Sequence, residues 1–210
     1  MSARTRRATG RVLLNLAAVV VFVCSVFPVY WMVNTAFLPG SAVKSETPHF
    51  WPDQFTLQSF RAAWDGGFMP ALWVSLAVTV LTVAAALVFA FLAAIAVSRY
   101  RFRSRKSFIV AILVIQMIPA EAMIISTFRV LDGWHLLNTV IGLSAVYIAM
   151  VLPFTIWTLR GFVNGIPADL EEAAMIDGCS RAQAFWRVTF PLLAPGLVST
   201  GIFAFIQAWN

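Results

Sequence analysis

The side chains able to do chemistry are few and unevenly placed. Of nine carboxylates, Asp169, Glu171, Glu172 and Asp177 crowd into one short stretch, while Glu121 stands alone in an otherwise uncharged run. The only lysines are Lys44 and Lys106, and neither follows a G-x4-G frame, so no phosphate-binding loop is written here. His49 and His135 lie in separate segments without metal-ligand spacing, so no metal site is expected. Cys24 falls in an apolar run and Cys179 in a polar one, so a disulfide is not expected either. What remains is one acidic cluster, and the question becomes which elements hold it.

Composition answers first. Apolar side chains make up 60% of the chain, charged ones 11%, and the mean hydropathy is +0.84. A soluble domain draws roughly a quarter of its residues from the charged set, because water-facing surface needs them. A bilayer is therefore the main solvent, and a soluble enzyme is excluded as the starting assumption. The charges divide the chain into long uncharged runs, each near the roughly 20 residues that a spanning helix requires. Spans are expected near 12–36, 71–97, 107–127 and 138–159, with a fifth from about 192 to 210 that the end of the sequence cuts short. Residues 1–11 form a basic tail. The first run passes beyond signal-peptide length into Tyr30-Trp31, an interfacial aromatic pair, so it is expected to stay as an anchor. The expected fold class is an all-α integral membrane bundle.

Orientation follows from the basic residues. Twelve of the fifteen fall on one side: Arg4, Arg6, Arg7 and Arg11; Arg99, Arg101, Arg103, Arg105 and Lys106; Arg160, Arg181 and Arg187. The other side has Lys44, Arg61 and Arg129. The sides alternate across four helices, which places the amino terminus and residues 160–191 in the cytoplasm. The net charge of +6 is thus a topology signal and not a nucleic-acid footprint.

Within the spans, Ala86, Ala90 and Ala94 recur at every fourth position. Such spacing makes a face for close helix packing in lipid, although alanine is common enough here to produce it by composition. Pro119 and Pro153 each remove a backbone donor, so each should kink or break its helix where neighbours or a cavity satisfy the freed carbonyl. Glu121 sits in the outer third of the third run. Either it lines a pathway or it is hydrated at the interface where the helix breaks after Pro119.

The acidic cluster lies between the fourth and fifth spans. Pro167 marks a helix start, Asp169 is the expected N-cap, and Glu171 and Glu172 suit the positive end of the helix dipole. Leu170, Ala173, Ala174 and Ile176 or Asp177 repeat at three to four residues, and Gly178 is a natural stop. Ser180-Arg-Ala-Gln183 reads as a capping box that opens a second short helix through Phe190. Pro191 and Pro195 then bracket the entry to the fifth span. The segment is a helix–glycine–helix elbow, too short to fold alone.

At this elbow the chain resembles the binding-protein-dependent ABC importer permeases. Glu172-Ala173-Ala174, three residues, Gly178, nine residues and Val188-Thr-Phe190-Pro191 are similar to that family's pattern E-A-A-x3-G-x9-I-x-L-P. Val188 and Phe190 depart from it conservatively. Over nearly the whole chain the resemblance is to the carbohydrate-uptake, maltose-type branch, carried by Pro28-Val-Tyr-Trp-Met-Val, Asn34-Thr-Ala-Phe, Arg99-Tyr-Arg-Phe and Phe205-Ile-Gln-Ala-Trp209-Asn210. The short amino-terminal tail is similar to that of the second, smaller permease of the pair.

The resemblance implies a six-span permease of the bacterial cell membrane, of which the sixth span is missing from this sequence. It implies a second permease subunit as heterodimer partner, two ATPase subunits that use ATP and magnesium, and an external sugar-binding protein. This chain itself would hold no cofactor. The elbow would couple to the ATPase, with Glu172 meeting basic or polar groups there, Ala173 and Ala174 allowing close approach, and Gly178 making the turn. Glu171, Asp177 and Pro191 complete the expected coupling set, while Pro119, Glu121 and Pro153 are candidates for a pathway or an interface. The implied substrate is a di- or oligosaccharide, an amino sugar among the options. A stand-alone ion-coupled transporter or channel is the alternative, and it would want more buried charge than one glutamate.

Overall fold

A computed structural model describes the backbone of residues 3–209 and the side chains of residues 11–119 and 121–209. The side chains of Arg4, Arg6 and Arg7, and Asn210 at the end of the last quoted phrase, lie outside the described residues. Among the described residues the secondary structure is helical and contains no strand. The chain divides into two units, residues 1–71 and 72–210.

The first unit is built on α1 (Ala3–Ala36), which contains the expected span but begins earlier, within the basic tail. Pro28 lies inside α1 without ending it. Two short helices follow, α2 (Gly40–Val43) and α3 (Gln58–Asp65). The loop between them folds back on the end of α1. Asn34, 5% exposed, donates from Nδ2 to the His49 carbonyl at 2.6 Å. The Tyr30 hydroxyl donates to the Phe50 carbonyl, and Trp31 meets the Phe50 ring edge-on at 5.7 Å. Phe37 stacks on Phe55 at 4.5 Å. The aromatic pair expected at the interface thus also fastens a loop. His49 Nδ1 lies 3.2 Å from Asp53 Oδ2, a local pair one helical turn apart in sequence.

The second unit takes up α4 (Phe68–Arg99), whose first residues belong to the first, and continues with α5 (Arg105–Gln116), α6 (Ile124–Gly133) and α7 (Val140–Gly165). Beyond these come α8 (Asp169–Ile176), α9 (Arg181–Ala184) and α10 (Phe190–Trp209). Ala86, Ala90 and Ala94 are fully buried, so the small-residue stripe is a packing face. Ala90 and Ala94 share one core cluster with Ile112 of α5, Ile156, Leu159 and Val163 of α7, and Leu193 of α10. Small residues carry α10 as well. A Cβ on Gly196 would sit 2.6 Å from the Phe162 ring, so only glycine admits that ring of α7 at this distance. Hydroxyl bonds to backbone carbonyls, from Thr79 to Ala208 and from Ser144 to Val78 at 3.4 Å each, add polar fastening inside the unit.

The prolines behave differently from one another. The run expected as a span over 107–127 is not one helix: α5 stops at Gln116, a 3-10 turn covers Ala120–Met123, and α6 departs at 92° to α5. Pro119 stands at the break, exposed and with extended backbone (ψ 129°). Pro153, by contrast, is buried within α7, and the helix runs through it to Gly165, beyond the expected end at 159. Pro191 and Pro195 lie inside a single helical rod from Arg181 to Trp209 rather than separating an elbow helix from a span. A π turn at Phe185–Thr189 precedes Pro191 and widens the ladder just before a proline that cannot donate to it.

Candidate functional site

The elbow is assembled from local rules and then tied down by distant residues. Its first helix, α8, starts with Asp169, Glu171 and Glu172 in the first turn, where the helix dipole favours negative charge. Ala168 occupies the N-cap position, and no side chain caps the helix, so Asp169 is its first residue rather than its cap. That correction moves the boundary by one position, as expected where a helix end is set by backbone geometry rather than by a cap.

The end of α8 is a Schellman motif. Gly178 N–H donates to the Met175 carbonyl at 3.1 Å and Cys179 N–H to the Ala174 carbonyl at 3.0 Å. Gly178 has φ +90°, a conformation that costs any residue with a Cβ. Open space surrounds it, so the demand is on the backbone and not on volume. The expected capping box is complete: Gln183 N–H donates to Ser180 Oγ at 3.3 Å, and Ser180 N–H donates to Gln183 Oε1 at 2.8 Å.

The two adjacent glutamates then part company. Glu172 is exposed, as are Ala173 and Asp177, and Ile176 is 86% exposed. Glu171 turns inward. Its Oε1 lies 3.2 Å from Arg99 Nη2 and accepts from the Thr189 hydroxyl at 2.7 Å. Arg99 also donates from Nη2 to the Ile166 carbonyl at 3.1 Å, and its side chain is 17% exposed against 16% for Glu171. Close by, the Arg181 guanidinium lies 5.7 Å from the centroid of the Tyr100 ring, within cation–π range. Phe91 of α4 meets Phe185 and Phe190 at 6.0 and 5.9 Å, which links the π turn to α4.

Of the coupling set expected from the sequence, the structure places Glu171, Glu172, Ala173, Ala174, Asp177 and Gly178 on one elbow. Pro191, exposed, lies in the second position of α10. Pro119 and Glu121 sit together in the exposed turn between α5 and α6, whereas Pro153 is buried in α7. Glu121 is therefore a residue of a helix break and not of a continuous span. Arg99 and Thr189 were not foreseen as part of the site. Arg99 is visible in sequence only as one cation among five in a turn, and nothing local announces its carboxylate partner.

This exposed acidic and apolar elbow between membrane-length helices can be set against known proteins. The family described as binding-protein-dependent transport system inner membrane component matches residues 86–210. The diacetylchitobiose uptake system permease protein DasC of Streptomyces coelicolor is 48% identical over 206 residues, covering 98% of this chain and 75% of that protein. The trehalose transport system permease protein SugB of Mycobacterium tuberculosis is 37% identical, with coverage of 89% and 68%. The crystal structure of a bacterial ABC transporter involved in the import of the acidic polysaccharide alginate superposes with a TM-score of 0.81 at 26% identity, covering all of this chain and 74% of that one. The chain is a multi-pass membrane protein and belongs to the binding-protein-dependent transport system inner membrane components, as a carbohydrate-uptake ABC permease.

Proposed function

We propose that this permease forms one half of a translocation path for a di- or oligosaccharide and takes its driving force from partner ATPases through the elbow. The observation that carries the reading is the outer face of α8: Glu172, Ala173, Asp177 and a nearly bare Ile176 beside a glycine turn, on an element too small to stand alone. Small side chains admit a groove wall closely, Ile176 supplies apolar area, and the free carboxylate of Glu172 suits a basic group there. The basic-residue bias puts this elbow and the amino terminus in the cytoplasm. A second permease, two ATPase subunits and an external sugar-binding protein complete the transporter. The likeness to DasC favours an acetylated amino-sugar disaccharide as cargo.

The test is uptake by the assembled system, with diacetylchitobiose and trehalose as the first sugars. Uptake should require ATP and the external binding protein. Glu172→Lys, or a bulky residue at Gly178, should abolish uptake and ATPase association while leaving membrane insertion intact. Full uptake by both variants would overturn the coupling role. Sugar flux driven by an ion gradient through this chain alone would overturn the ATP-driven reading in favour of a secondary transporter.

A further inference from the structure

Glu171 and Glu172 occupy adjacent positions on one eight-residue helix, yet only Glu172 is free to meet a partner. Glu171 Oε1 receives the Arg99 guanidinium from the last turn of α4 and the Thr189 hydroxyl from the π turn that leads into α10. The same Arg99 nitrogen reaches the carbonyl of Ile166, the residue that ends α7. We infer that Arg99, Glu171 and Thr189 are positioning residues forming a latch, which locks the elbow to the ends of α4, α7 and α10 so that force on its outer face moves those helices together. The inference rests on the coupling role proposed above and specifies how that coupling leaves the elbow.

Three features support a mechanical rather than a merely stabilising part. First, α8 is bounded by Pro167 and by Gly178 at φ +90°, so its chain connections are turns; side-chain contacts must fix its angle to the bundle. Second, both members of the ion pair are about five-sixths buried, so the pair is shielded from the solvent screening that weakens surface bridges. Third, Thr189 belongs to a π turn, a wider stretch of helix frequently found at functional sites. The aromatic contacts of Phe91 with Phe185 and Phe190 hold the other side of that turn to α4. Without the latch, the elbow could swing on its two turns while the membrane helices stayed where they were.

The experiment uses the complete transporter in lipid nanodiscs, with spin labels at Met175→Cys on α8, exposed and outside the docking face, and Leu92→Cys on α4 in a background of Cys24→Ala and Cys179→Ala. The distance between the labels is read without nucleotide and after trapping with MgATP and vanadate. With the latch intact, one narrow distance should persist through trapping. Glu171→Gln and Arg99→Gln should keep the ATPase bound, broaden the distribution, and shift it by several ångströms on trapping; in Thr189→Val the shift should be smaller. Distributions in the glutamate and arginine variants that match the parent in both states would overturn the latch. Glu172→Lys should do the reverse, losing the ATPase while the distance without nucleotide stays narrow. Retention of the ATPase by that variant would sink the docking role and leave the latch to stand on the distances alone.

Discussion

Glu171 and Glu172 differ by one position and about a hundred degrees around a helix, and they live in different chemistry. Glu172 faces outward with Ala173 and Ile176; Glu171 is held by Arg99 and Thr189. A repeated residue in a motif therefore need not be a repeated function. One carboxylate is exposed, and its neighbour ties the elbow to Arg99 of α4 and Thr189 of the π turn.

The comparison can be broken by measuring what each residue contributes to thermal stability of the purified chain in detergent. Glu171→Ala should cost the most, about 3 kcal/mol, because it leaves the Arg99 guanidinium buried and unpaired. Gly178→Val comes next at roughly 1–2 kcal/mol, the penalty for holding an L residue in left-handed backbone. Thr189→Val should cost about 1 kcal/mol by deleting one donor to Glu171 while keeping the shape. Ser180→Ala should cost about 1 kcal/mol or slightly less through loss of the capping box. Glu172→Gln should fall within about 0.5 kcal/mol of the parent, as befits an exposed side chain. Equal costs for Glu171→Ala and Glu172→Gln would erase the distinction between the two carboxylates.

A second contrast lies in the prolines. Pro119 and Pro153 read alike in the sequence, each a lone proline in an apolar run. Pro153 is buried in α7, two residues before Thr155, whose hydroxyl donates to the Val151 carbonyl at 2.8 Å, and the helix continues. Pro119 is exposed, and the helix ends. The local defect is the same, and burial alone does not decide its outcome, since the exposed Pro28 and Pro195 also lie inside continuous helices. The expected separation of the second elbow helix from the fifth span did not occur either: Pro191, although exposed, follows a π turn inside one continuous rod.

Legibility follows the range of the interaction. The capping box of Ser180 and Gln183, the glycine turn at 178 and the acidic first turn of α8 are contacts within a few residues, so spacing alone declared them. The alanine stripe of α4 was legible as a pattern, and burial decided that it is a packing face. Arg99 and Thr189 were not legible as site residues, because each meets Glu171 only after three helices have been brought side by side.

By itself the sequence determined the solvent, the family and the outline of the elbow. Hydropathy, charge spacing and capping chemistry are properties of short stretches of chain, and they act before any helix meets another. Only the tertiary structure decided which proline breaks a helix and which of two glutamates is free. The difference between the glutamates is one of burial, and burial is a property of neighbours that the chain acquires only when it packs.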